Sequence, residues 1–261
     1  MSVATLAAKP RPANAGCLRE DENPFSTNKV TGYSLNFPII GTCTPTIVCA
    51  KTCYFAKGPA TWSASLAKQY RLLGSLRDDP AKLAARIARY ARKLRLTYVR
   101  WCGGGDLVEE TPACIDMVAW YLKDIPQWVV SRRPNIAATI KPRSNVYVHL
   151  SVDKTSWDRL DLFKRIAPDG LQWFWSYQCD AGEVPESGTI APVIFRDKYD
   201  LDGSRPVSHD CPLNLAESIV RVCERCRRCF NGDAVRSAKE CLENPSSSPR
   251  LFGKPNNAAG G

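Results

Sequence analysis

Cys43-Thr44-Pro45-Thr46-Ile47-Val48-Cys49-Ala50-Lys51-Thr52-Cys53-Tyr54 sets three cysteines within eleven residues, directly after the apolar run Tyr33-Ser34-Leu35-Asn36-Phe37-Pro38-Ile39-Ile40. The run reads as a strand and the cysteine stretch as the loop leaving it. Three thiolates on one loop form a ready site for a soft metal or an iron–sulfur cluster. The remaining chain reads as a scaffold that holds this loop and closes over it.

The segments beyond the loop predict an α/β fold. Trp62 to Leu73 has helical spacing in Leu66, Tyr70 and Leu73. Asp79 is an N-cap and Pro80 suits a first turn, ahead of an apolar stripe of Leu83, Ile87, Tyr90, Ala91 and Leu94. Arg86, Arg89, Arg92, Lys93 and Arg95 lie mostly off that stripe, as a solvated face or a nucleic-acid contact. Thr97 to Cys102 is β-branched and aromatic and stops at Gly103-Gly104-Gly105-Asp106, after which Thr111 and Pro112 open a helix. Strands are predicted at 128–131, 146–152, 171–177 and 191–195, with a short helix or turn at 135–140 and a helix capped by Ser156. About six mainly parallel strands alternating with helices favour a parallel sheet or a partial (β/α) barrel. Residues 1–30 read as an irregular tail, 31–205 as the partial barrel, 206–243 as a Cys-rich extension and 244–261 as a disordered tail.

Composition limits the partners. The chain has 261 residues, 44% hydrophobic and 24% charged, enough for a real core. No apolar run is long enough for a membrane helix, and the N-terminus lacks the pattern of a signal peptide. A cytoplasmic location follows as the expectation, where twelve cysteines read as metal or redox sites rather than disulfides. The formal net charge of +10 attracts anions and admits nucleic acid as a partner.

A second cysteine set is the sharper metal signal. Cys223, Cys226 and Cys229 are spaced by two residues each, with Cys211 upstream. Four thiolates close a tetrahedral zinc site or fill a cluster site, and spacing does not choose between them. The first set has three ligands, so its coordination stays open unless Cys102, Cys114, Cys179 or Cys241 completes it; buried packing is the simpler reading of those four. Gly103-Gly104-Gly105-Asp106 lacks a Walker lysine and reads as a tight turn or a close backbone approach to a ligand. Of the two histidines, His149 reads as a core or strand-face residue, and His209, two residues before Cys211, as a spare ligand or a neighbour.

A three-cysteine loop ending Cys-Tyr, a strand ending in Gly-Gly-Asp, further strand–helix units, then Cys-Pro and Cys-x-x-Cys-x-x-Cys-aromatic together resemble the phage and mobile-element gene product 88 family. That family is in turn similar to radical S-adenosylmethionine proteins. The resemblance implies a partial barrel with a 4Fe–4S cluster on Cys43, Cys49 and Cys53 and an iron open to the amino and carboxylate groups of S-adenosylmethionine. Gly103, Gly104, Gly105 and Asp106 stand where the radical enzymes hold the methionine amino group, and Asp106 would pair with it. Ser131, Ser151, Asp153 and Tyr177 would face the same mouth, and Cys211, Cys223, Cys226 and Cys229 would hold an auxiliary cluster. The cysteine gaps of five and three, with Tyr54 after the last cysteine, depart from the common CxxxCxxC pattern. The implied function is an iron–sulfur protein resembling radical enzymes, acting on a small-molecule or macromolecular substrate. The alternative is a zinc or iron–sulfur protein that binds nucleic acid without catalysis.

Overall fold

The computed structural model describes residues 15–28, 31–180, 183, 193–195 and 229. Seven strands form a single sheet in sequence order: β1 (Ser26–Asn28), β2 (Gly32–Asn36), β3 (Val99–Gly104), β4 (Gln127–Ser131), β5 (Val146–Val152), β6 (Gln172–Gln178) and β7 (Val193–Phe195). β1 runs antiparallel to β2, and every later pair is parallel. Among the described residues the sheet is not closed, and β1 and β7 are its edges. Right-handed crossovers stepping in one direction place the connecting helices on one face of such a sheet.

The helices are α1 (Ile47–Thr52), α2 (Ser63–Asp78), α3 (Pro80–Lys93), α4 (Thr111–Tyr121), α5 (Pro134–Ala137) and α6 (Trp157–Ile166). α3 starts as its sequence predicts, with the Asp79 side chain accepting from the Lys82 backbone N–H at 2.8 Å. Ser156 precedes α6 but does not cap it through its side chain. Its hydroxyl instead accepts from the Asp153 backbone N–H at 2.9 Å, so it tightens the turn after β5. The predicted strand over 33–40 stops at Asn36. Pro38 has no N–H for the ladder, and Ile39–Thr42 is a kinked turn with Gly41 at φ 94°.

Core packing fixes which side of the sheet each residue takes. The Trp101 indole N–H donates to Gln127 Oε1 at 2.8 Å, and Gln127 Nε2 donates to the Ile115 carbonyl of α4 at 3.5 Å. Trp101 and Gln127 therefore face the helices, where Trp101 is fully buried. Burying such a ring is worth roughly 4–6 kcal/mol, from about 150–250 Å² at about 25 cal/mol per Å². By the two-residue strand period, Trp128 and His149 lie on the other face. There His149 stacks between Trp128 and Phe174, and its Nδ1 accepts from the Trp128 indole at 3.1 Å.

The N-terminal lead-in is more structured than its composition suggests. Leu18 and Phe25 are buried in the main core. Arg86 donates to the Leu18 and Arg19 carbonyls, at 3.2 and 2.9 Å, and Arg89 to that of Glu20 at 3.3 Å. Arg71 pairs with Glu22 at 2.5 Å. Arg92 donates to the Tyr121 carbonyl at 2.6 Å. The arginine face of α3 thus holds neighbouring backbone. Among the described residues no helix is long and apolar enough to cross a membrane.

Candidate metal centre

The cysteine stretch contains helix α1, so Cys49 sits on a helical turn rather than on open loop. Thr46 caps this helix, its hydroxyl accepting from the Cys49 N–H at 3.1 Å. The loop lies across the C-terminal ends of the parallel strands, and a hydroxyl near each cysteine ties it there. Beside Cys43, Thr42 Oγ1 accepts from the Asp106 N–H at 3.0 Å, just past β3. Ahead of Cys49, the Thr46 hydroxyl donates to Asp153 Oδ2, just past β5. Beside Cys53, Thr52 Oγ1 accepts from Gln178 Nε2 at 2.5 Å, at the end of β6, and Tyr54 donates its phenol to the Gly103 carbonyl. Ligands of open α/β sheets bind at this same edge, outside the carboxyl ends of the strands.

Arg132 is the hub beneath the loop. Its backbone N–H donates to Asp106 Oδ2 at 3.1 Å, its Nη1 donates to Asp153 Oδ2 at 2.8 Å, and its Nη2 donates to Gln178 Oε1. The guanidinium is one-tenth exposed and the Asp153 carboxylate fully buried. Burial works against the Asp153 charge, but hydrogen bonds from Thr46 and Thr155 and the Arg132 charge outweigh it and hold its pKa below the usual carboxylate range. Neither Arg132 nor Gln178 was singled out in the sequence. The legible signal was a charged residue immediately after a buried strand end, and a hydroxyl residue near each cysteine.

The three thiols are half-buried, free of disulfides and electrostatic neighbours of one another. Burial pushes the Cys43 thiol up, and Asp106, Cys49 and Cys53 push it the same way. Burial also raises Cys49, while the Arg132 charge draws it back toward the thiolate. Among the described residues no three His, Cys, Asp or Glu side chains converge closely enough for a single metal ion. The thiolates of a cubane cluster bind separate irons and stand further apart than the ligands of one ion. Three free cysteines on one anchored loop fit that donor chemistry.

The glycines after Cys102 receive protein. A Cβ on Gly104 would sit 2.2 Å from the Phe55 ring, and one on Gly103 would sit 2.5 Å from Asn36 Oδ1. Gly105 has φ +78° and presses on the Phe37 carbonyl. Gly104→Ala is therefore expected to lift Phe55 and the loop behind Cys53, at a cost of about 1–3 kcal/mol in chemical denaturation, with part recovered by adding Phe55→Ala.

Asp106 is buried, and its carboxylate accepts from Ser131 Oγ at 2.7 Å and from the Leu107 and Arg132 N–H groups at 2.8 and 3.1 Å. Burial still raises its pKa. The carboxylate is thus engaged inside the protein and does not fit the role of acceptor for a methionine ammonium. Ser131 serves Asp106, and Asp153 serves Arg132 and Thr46. Ser151 is half-buried on β5 beside Ser176 of β6. Tyr177 belongs to the helix face, stacked on Trp157 with its hydroxyl donating to Glu183, because it lies one residue out of phase with Ser176 and Gln178. Of the second set, Cys229 is half-buried, and Cys211, Cys223 and Cys226, like His209 and Cys241, lie outside the described residues.

The family model described as Gene product 88 matches residues 6–232. No curated protein and no solved structure matches the chain.

Proposed function

This chain belongs to the gene product 88 family, and we propose that it is an iron–sulfur protein whose 4Fe–4S cluster rests on Cys43, Cys49 and Cys53 at the mouth of a partial barrel. One observation supports this most: the cysteine loop is anchored to the ends of β3, β5 and β6 by Thr42, Thr46, Thr52 and Tyr54. Such anchoring meets the cost of ordering a loop before any metal arrives, about 1–2 kcal/mol per residue of backbone. A bound cluster would supply one-electron chemistry.

The chain's own residues set the environment of that cluster. Arg132 opposes the build-up of thiolate charge at Cys49. Phe55 covers Gly104 and keeps the inner side of the loop packed. Because Asp106 is committed to Ser131 and two backbone N–H groups, no adenosyl step is assigned to it. The alternative nucleic-acid reading draws on the basic helix α3, whose Arg86, Arg89 and Arg92 are bound to backbone carbonyls.

Anaerobic purification followed by metal analysis tests the proposal. A brown protein with broad visible absorption and about four to eight irons per chain is expected. Cys53→Ala is expected to lose the cluster at the loop and keep iron bound by the C-terminal cysteines. A colourless protein carrying zinc overturns the proposal.

A further inference from the structure

We propose that the corner where α3 and α4 end is a binding surface for single-stranded nucleic acid. It lies at the sheet edge opposite the cysteine loop, so the iron–sulfur reading neither needs it nor falls with it.

Topology makes the corner. Val99 of β3 and Gln127 of β4 are paired in a parallel ladder, and each strand starts soon after its helix ends. The C-terminal ends of α3 and α4 therefore stand side by side. Arg92 joins them, its Nη2 donating to the Tyr121 carbonyl at 2.6 Å.

Charge gathers there. Between Asp79 and Asp106 the chain carries seven Lys or Arg and no Asp or Glu, so much of the +10 net charge falls on α3 and the link after it. Arg89, Arg92, Lys93 and Arg95 are exposed, and Lys123 adds an exposed cation just past α4. Among the described residues none of these five is in an ion pair. Arg89 and Arg92 donate to the Glu20 and Tyr121 carbonyls. A neutral carbonyl orients a guanidinium without cancelling its charge, so both remain able to attract an anion. The exposed carboxylates of Glu20, Asp21 and Asp124 lie nearby without pairing to these cations, and Asp116 is held by Lys141 and Arg143. Cations in a last turn also complement the helix dipole, but that reason covers only Arg92 and Lys93 and calls for no aromatic ring.

Aromatic rings interleave with the cations. On α4, Cys114, Ile115 and Val118 are buried in the core, whereas Trp120 is 60% exposed. The Tyr121 ring supports it edge-on at 5.2 Å, and the Lys123 ammonium stands 6.0 Å from its centroid. On α3, Arg89 and Lys93 flank the half-buried Tyr90 ring at 5.4 and 5.6 Å. Cations that track a phosphate backbone beside a ring on which a base stacks hold single strands without reading their sequence. A duplex offers the phosphates but keeps its bases stacked on each other. An acidic protein surface offers carboxylates without the flat bases that match an indole set among cations. Trp120 is therefore what favours the single strand over either.

Fluorescence anisotropy with the full chain tests this, using labelled mixed-sequence single-stranded DNA and RNA, their duplexes, and polyglutamate in place of an acidic protein. Single strands are expected to bind more tightly than the duplexes or polyglutamate. Trp120→Ala is expected to weaken single-strand binding roughly tenfold, with Trp120→Phe between it and the parent. Lys93→Gln and Lys123→Gln are each expected to lower the slope of log Kd against log salt by about 0.7. Lys57→Gln removes an exposed cation beyond the cysteine loop and is expected to leave binding unchanged. All these side chains are exposed, so circular dichroism and iron content should match the parent. A preference between DNA and RNA supports the surface and names the strand. A chain that binds no single strand, or binds duplex or polyglutamate as tightly, overturns the proposal. So does an unchanged Kd in Trp120→Ala, or a Lys57→Gln variant that loses as much as the corner variants, which would reduce the effect to bulk charge.

Discussion

Replacing Arg132 with alanine is expected to cost about 3–5 kcal/mol of stability and to release the cysteine loop, the largest effect of any single substitution at this site. The guanidinium reaches Asp153 at 2.8 Å and Gln178 through a second nitrogen, and both acceptors also hold the loop, through Thr46 and Thr52. Removing it strands a fully buried carboxylate. Asp153→Asn alone should cost less, because its amide is uncharged. The double variant Arg132→Ala/Asp153→Asn should recover part of the loss, which a double-mutant cycle in urea measures directly. Arg132→Lys keeps the charge without the fork and should fall between. Reconstituted iron should track loop anchoring, so Arg132→Ala should hold less of it than the parent. Full iron retention with an unchanged denaturation midpoint would show that the ion pair does not organise the loop.

Acid is expected to destabilise the fold through His149, by roughly 5 kcal/mol between neutral pH and about pH 3 at about 1.4 kcal/mol per pH unit. The imidazole is fully buried. Burial, reinforced by the positive charges of Arg100 and Arg132, lowers its pKa from 6.5 to about 3. The sign follows from which state takes up the proton. The unfolded chain binds it as pH falls below 6.5, whereas the native chain stays neutral down to about 3. The contribution is therefore complete above that upper value, is lost progressively below it, and is exhausted at the lower one. His149→Phe preserves the stack between Trp128 and Phe174 and removes the titration. It forfeits the acceptor for the Trp128 N–H, a pH-independent cost of about 1 kcal/mol. Its stability curve should be flatter than the parent's on the acid side. Parallel curves would refute the assignment, since Glu22 and Asp116, both held below the usual carboxylate range by hydrogen bonds from arginine, titrate in both chains.

The helices and strands were legible because their signals are local. Asp79 and Pro80 mark the start of α3, and Val146 to Val152 matches its strand residue for residue. The end of β2 was misplaced because apolar character continues through Phe37 to Ile40, while the missing N–H of Pro38 and the positive φ of Gly41 end the ladder. Strand β1 escaped notice because Ser26–Asn28 is short and polar, and only pairing with β2 makes it a strand.

Sequence alone determined that three cysteines share one loop, that this loop follows a strand, and that strand–helix units come after it. Each of these is a matter of order and spacing along the chain. Only the tertiary structure decided what the loop rests on. Thr42 meets Asp106 across 64 residues, Thr46 meets Asp153 across 107, and Thr52 meets Gln178 across 126. Only parallel pairing from β2 to β6 brings those strand ends to one edge, and that edge is where Arg132, unmarked by any motif, becomes the residue that joins them.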